Sequence, residues 1–105
     1  MSFLSLRSGT LTTFFYDSVM ESTELDGIFP CVKRKYDEVD HSHSDGMIYV
    51  FGSGSLGKFA LDGDEINGKT VRKQELTIDG FTYVIGKIRP VYSGGQLHHL
   101  EIGVI

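Results

Sequence analysis

The last third of the chain alternates. Glu75 to Ile78 and Phe81 to Val91 are rich in Thr, Val, Ile and Tyr, with Asp79-Gly80 between them. Asp-Gly between two β-rich runs marks a two-residue hairpin, because both central residues must take positive φ. Tyr83 and Ile85 follow the phase of Phe81, whereas Val84 and Ile88 take the opposite one, with Gly86 between. That switch predicts a bulge or tight bend at Gly86, as at the corner of a small barrel. Ser93-Gly94-Gly95 predicts another turn. The closing run puts His98, Leu100, Ile102 and Val104 on one face, so strict alternation sends His98 and His99 to opposite faces.

The middle of the chain is punctuated differently. Met47 to Phe51 reads as a short strand, and Ile28 to Val39 as a partly exposed one whose start at Pro30 lies at an edge. Asp40 to Gly46 is polar and ends in Asp-Gly, a turn signal. Lys58 to Leu61 reads as a further strand, with turns at Asp62-Gly63 and Asn67-Gly68. Nearer the N-terminus the period changes. Leu11, Phe14, Phe15, Ser18, Val19 and Ser22 recur at helical spacing and predict a short amphipathic helix from Leu11 to Val19, with Gly27 as its stop. The many Thr and Ser residues there are poor in helix interiors. Met1 to Thr10 reads as a loose arm. The expected fold is mainly β: a small antiparallel barrel or sandwich with a short N-terminal helix or mobile arm. Residues 1–26 would be the arm and helix and residues 27–105 the small barrel, in one domain.

Composition narrows the function. The chain has 105 residues, 40% hydrophobic and 23% charged, which is ordinary for a globular domain. Its 13 glycines and 2 prolines suit tight turns between short strands. A net charge of −4 argues against gripping a phosphate backbone, which needs Lys and Arg. Such a protein can stand beside DNA and let it slide past. The lone Cys31 cannot close an internal disulfide, which fits assembly in the cytosol. No apolar run approaches the ~20 residues of a membrane span, and no signal peptide is expected at the N-terminus.

Several patterns carry candidate chemistry. Gly52-Ser53-Gly54-Ser55-Leu56-Gly57 is a literal Gly-x-Gly-x-x-Gly after an apolar run. In a dinucleotide site these glycines turn a strand into a helix whose N-terminus meets the pyrophosphate. Here Asp62-Gly63 and Asn67-Gly68 break any such helix, and no P-loop Lys-Ser or Lys-Thr follows. The stretch reads as a mobile loop between strands. His41 and His43 stand beside Asp40 and Asp45, but nothing completes a closed metal-ligand set. Cys31 beside Pro30 reads as a small core residue. Lys33-Arg34-Lys35, Arg72-Lys73 and Lys87 with Arg89 read as solvated strand faces. No base, nucleophile and oxyanion donor come together, so no catalytic residue, cofactor or metal is expected.

The C-terminal segment from Asp64 to Ile105 resembles the end of the head–tail joining proteins of lambda-like tailed phages. The matching pieces are Asp64-Glu65-Ile66, Glu75-Leu76-Thr77-Ile78, Phe81 to Pro90, Ser93-Gly94-Gly95 and His98 to Gly103. The resemblance implies a structural subunit of a ring in the virion neck. That ring closes the DNA-filled head and offers the tail its attachment site. The implied partners are the portal or connector, the tail-end protein and further copies of the chain, with assembly in the bacterial host cytoplasm. DNA would pass without sequence-specific binding, and no membrane is involved. On this reading Phe14, Phe15 and Tyr16 are aromatic anchors, and His41, His43, Ser53, Gly54, Ser55 and Leu56 lie in loops that order against a neighbour. The alternative is a small binding module such as a tail-terminator, immunity or inhibitor protein. A nucleotide-binding enzyme acting through Gly52 to Gly57 comes last.

Overall fold

The computed structural model describes residues 6–33, 46–52 and 55–105. They form an antiparallel β structure: β1 (Leu6–Phe15), β2 (Met20–Ile28), β3 (Cys31–Lys33), β4 (Gly46–Phe51), β5 (Glu65–Ile66), β6 (Lys69–Ile78), β7 (Phe81–Ser93) and β8 (Gln96–Val104). The hydrogen-bonded order is β2-β1-β6-β7-β8-β4-β3, with β5 added to β6.

The helix expected from Leu11 to Val19 does not form. Those residues make the second half of β1 and a turn into β2. Gly9, Leu11, Thr13 and Phe15 are buried while Thr10, Thr12 and Phe14 are only partly so, which is the period of a strand. The Thr-rich composition, disfavoured inside a helix, suits a pleated surface. Ser18 takes φ 68° in the turn, and the Phe15 amide donates to the Val19 carbonyl at 3.0 Å. Gly27, expected as a helix stop, lies inside β2 opposite Arg7. Residues 6–26 therefore belong to the same sheet as the rest.

Three two-residue hairpins follow the sequence signals. Asn67-Gly68, Asp79-Gly80 and Gly94-Gly95 all take positive φ at both positions, between the pairs Ile66–Lys69, Ile78–Phe81 and Ser93–Gln96. Positive φ at both central residues gives the turn whose twist matches that of the flanking strands.

The long strand β7 serves two sheets. Its first part, to Val84, pairs with β6, and its second part, from Ile85, pairs with β8. The pairing slips between Ile85 and Lys87, so Gly86 is the extra residue and the predicted bend is there. On the opposite side Phe29-Pro30 leads directly from β2, paired with β1, to β3, paired with β4. Two layers result, with Leu11, Leu76 and Ile78 of one facing Ile48, Leu100 and Ile102 of the other in a common core. The sheet does not close, because β2 and β3 end the path. The end of β2 nonetheless leans on β4, where Gly27 lies near the Phe51 carbonyl.

A smaller core of Phe15, Ala60 and Val71, with Ile66 against it, extends the first layer. Gln74, only 1% exposed, holds it together. Its Oε1 accepts from the Ala60 amide at 2.8 Å. Its Nε2 donates to Thr13 Oγ1 at 3.0 Å and to the Lys58 carbonyl at 2.9 Å. A buried amide so partnered escapes the cost of desolvation and ties the segment before β5 to β1 and β6.

Candidate functional site

The three aromatic residues singled out in the sequence do not share one surface. Phe15 is 4% exposed and belongs to the smaller core, with Lys69 Nζ 5.4 Å from its ring centre. Phe14 points to the other side of β1, and only Tyr16, in the turn, is freely exposed at 58%. Its hydroxyl donates to Asp62 Oδ1 at 2.6 Å, and that bond to the carboxylate raises the phenol's pKa. Ser55 is buried, donating through Oγ to the Gly52 carbonyl at 2.7 Å, whereas Leu56 is exposed. His41, His43, Ser53 and Gly54 lie outside the described residues.

No helix begins at Gly57. Gly52 takes φ 117°, Lys58 donates from its amide to the Ser55 carbonyl, and the chain then runs without regular structure into buried Phe59 and Ala60. The strand expected from Lys58 to Leu61 is replaced by this docked segment. Its polar backbone is served by the Gln74 side chain and by Asp64 Oδ2, which accepts from the Leu61 amide at 2.9 Å.

Two bulges bring adjacent side chains to one face. In β6 the pairing with β1 slips between Phe14 and Phe15, leaving Arg72 as the extra residue. Arg72 and Lys73 then both lie over the Phe14 ring, at 5.5 and 4.8 Å from its centre. In β8, Val91 pairs with His99 and Tyr92 with Leu97, so His98 is the extra residue. The expectation that His98 and His99 face opposite ways is thereby overturned: their Nδ1 atoms are 2.7 Å apart, one ring donating and the other accepting. His98 also leaves the face it was expected to share with buried Leu100, Ile102 and Val104, and is exposed.

An aromatic–imidazole patch forms around that bulge. The His99 ring lies 5.5 Å from Tyr49 and 5.3 Å from Phe51, with His98 5.5 Å from Phe51. Glu101 Oε2 is 3.6 Å from His99 Nε2, and Arg89 reaches Glu101 Oε1 at 3.4 Å. Tyr49 and Phe51 were not singled out in the sequence, although their alternation with buried Ile48 and Val50 is the signal that places them on the outer face. Arg72-Lys73 lie on β6 beside β1, and Lys87 with Arg89 on β7 beside β8.

Two further surfaces stand at opposite ends of the β1–β2 hairpin. At the turn, Tyr16, Val19 and Met20 expose 58%, 36% and 62% of their surface. The first five residues of β2 are exposed on both faces, while the turn is tied to β6: the Tyr16 amide donates to the Thr70 carbonyl at 3.1 Å and Lys69 Nζ reaches Glu21 Oε2 at 2.9 Å. At the other end lies a cleft of about 320 Å³ lined by Phe29, Pro30, Cys31, Ile78, Phe81 and Tyr83, with the Arg7–Asp79 ion pair at its rim. Burial, and then the adjacent Cys31 thiol, push the Tyr83 phenol above its ordinary pKa. Among the described residues no group of three or more His, Cys, Asp or Glu side chains is placed to hold a metal ion. No family model matches the chain, and neither a curated protein nor a solved structure resembles it closely enough to mark a relative.

Proposed function

We propose that this chain is a structural subunit that works by assembling, as the resemblance of its last third to head–tail joining proteins implies. It would form a ring in the neck of a tailed phage, closing the filled head and giving the tail its seat. One observation supports the reading: Tyr16, Val19 and Met20 are exposed at one hairpin turn. Apolar side chains left exposed at a turn suit a contact made on assembly. The net charge of −4 suits a neighbour of DNA that must not hold it. The protein would be a monomer in dilute solution and a ring on the portal, after assembly in the host cytoplasm.

The test is complementation. Filled heads lacking their joining protein are mixed with the purified chain and with tails. Infectious particles and a ring at the portal are expected; heads that stay bare and non-infectious overturn the proposal. The aromatic–imidazole patch supports a second reading, a binding module that takes one target protein one-to-one. A stable heterodimer in place of a ring would favour it.

A further inference from the structure

We infer that the bulge in β8 builds a site for a divalent transition-metal ion, copper(II) foremost, held between Nδ1 of His98 and Nδ1 of His99. The inference stands on this patch alone and is independent of the ring reading. Adjacent residues of a regular strand face opposite ways and cannot share an ion. The extra residue at His98 removes that obstacle, and the two Nδ1 atoms come to 2.7 Å. Two metal–nitrogen bonds of about 2.0 Å at a right angle span ~2.8 Å, whereas at a tetrahedral angle they span ~3.3 Å. The observed separation therefore fits neighbouring corners of a square-based site, the geometry of copper(II), better than the tetrahedron of zinc.

The surroundings hold both rings in place. The His99 side chain is only 15% exposed, and its ring packs against Tyr49 and Phe51. Phe51 also meets the His98 ring edge-on. Glu101 Oε2 faces His99 Nε2 at 3.6 Å. A carboxylate there favours the tautomer with its proton on Nε2, which leaves the Nδ1 lone pair directed at His98. Outer carboxylates orient metal-ligating histidines in this way. Arg89 in turn reaches Glu101 Oε1 at 3.4 Å and steadies it. The proton between the rings then sits on His98 Nδ1 and is donated to His99. On binding it leaves for Nε2 of the same ring through water, since His98 is exposed. Both imidazoles thus meet the ion neutral, as ligands must be. Among the described residues no third His, Cys, Asp or Glu side chain joins them, so water takes the ion's other positions.

The full chain is titrated with copper(II) sulfate. Electron paramagnetic resonance reads the nitrogen coupling, and amide NMR spectra read the line broadening. Binding with two-nitrogen coupling is expected, broadening the signals of Leu97 to Leu100 and Tyr49 to Phe51 first. His98→Ala, at an exposed position, and His99→Gln should each weaken binding by about tenfold or more, and Glu101→Gln by about tenfold, as loss of a ligand's outer partner does. His41→Ala combined with His43→Ala removes the other histidine pair of the chain and should leave the affinity unchanged. Amide spectra of the metal-free variants check that each keeps the fold. Copper that binds His98→Ala as tightly as the wild type, or that is lost with His41 and His43, overturns the site. Broadening centred away from β4 and β8 overturns it as well.

Discussion

Gln74→Met tests whether one buried amide holds the segment before β5. The replacement has similar length and no hydrogen-bonding group, so it removes three bonds without opening a large cavity. It strands the Ala60 amide, the Lys58 carbonyl and the Thr13 hydroxyl. A buried group left without a partner costs about 1–3 kcal/mol. Lys58 lies at the surface, so its carbonyl can turn to water, and the Thr13 hydroxyl can rotate to another acceptor. The Ala60 amide, in a residue 6% exposed, has no such escape. Adding about 1 kcal/mol for the two weakened bonds to Thr13 and Lys58 and allowing roughly 1 kcal/mol back for the more apolar side chain, the net loss is about 1–3 kcal/mol. Against a typical stability of about 5–15 kcal/mol that is large, and it corresponds to a fall in Tm of roughly 5–20 °C for a domain of this size. Urea unfolding measures it, and hydrogen exchange at the Ala60 amide should accelerate beyond the global change. Gln74→Glu, which sets a carboxylate against the Lys58 carbonyl in a buried place, should cost more than Gln74→Met at neutral pH. A loss under about 1 kcal/mol, or an Ala60 amide already unprotected in the wild type, refutes the reasoning.

Four other outcomes are expected. Gly80→Ala forces a β-carbon onto φ 83° and should cost about 1–2 kcal/mol. Gly86→Ala meets the exposed Ile105 side chain, Cγ1 at 2.6 Å and Cδ1 at 2.9 Å, and should cost less than half of that by urea melts, because Ile105 can swing away. Deleting His98 should leave the fold intact, since Tyr92–Leu97 and Val91–His99 then become neighbouring pairs in a regular ladder; lost dispersion in amide NMR spectra would count against the bulge. The Tyr83 phenol is raised by burial and Cys31, so its contribution to stability is full below about pH 10, the unfolded value, and is lost as pH climbs through the higher folded value. Tyr83→Phe should therefore flatten the alkaline arm of the stability profile, and an unchanged arm would rule that cause out.

The hairpins were legible because their cause is local. Asn67-Gly68, Asp79-Gly80 and Gly94-Gly95 hold the residues that tolerate positive φ, and nothing elsewhere in the chain needs to agree. The bend at Gly86 was legible for the same reason: a change of phase is visible in the run that contains it. The N-terminal hairpin was not. From Leu11 to Ser22 the same letters satisfy a helical ladder and, read in twos, a strand. Tertiary pairing decides between them, since β1 fills the place between β2 and β6 and buries Leu11 and Phe15. The segment from Lys58 to Leu61 misled in the opposite sense. Its apolar residues are buried, but their backbone is satisfied by a glutamine far along the chain, which no local pattern announces.

The outer surfaces were hardest to foresee, and the bulges explain why. Alternation assigns each side chain a face only while the register runs unbroken. One extra residue at Arg72 places two cations over Phe14, and one at His98 turns two imidazoles toward each other beside Phe51. The sequence holds these pairs, Arg72-Lys73 and His98-His99, but not the slip, because the slip is set by the partner strand's turn and packing. The two ends of the first hairpin depend on even more distant choices: β1 carries Arg7 to one end and delivers Tyr16 to the other only because it is a strand. A helix over Leu11 to Val19, at 1.5 Å per residue, would halve the rise over that part of the separation. Hence the same observation that corrects the predicted helix also creates the long element that holds the Tyr16 turn and the Phe29–Phe81 cleft apart.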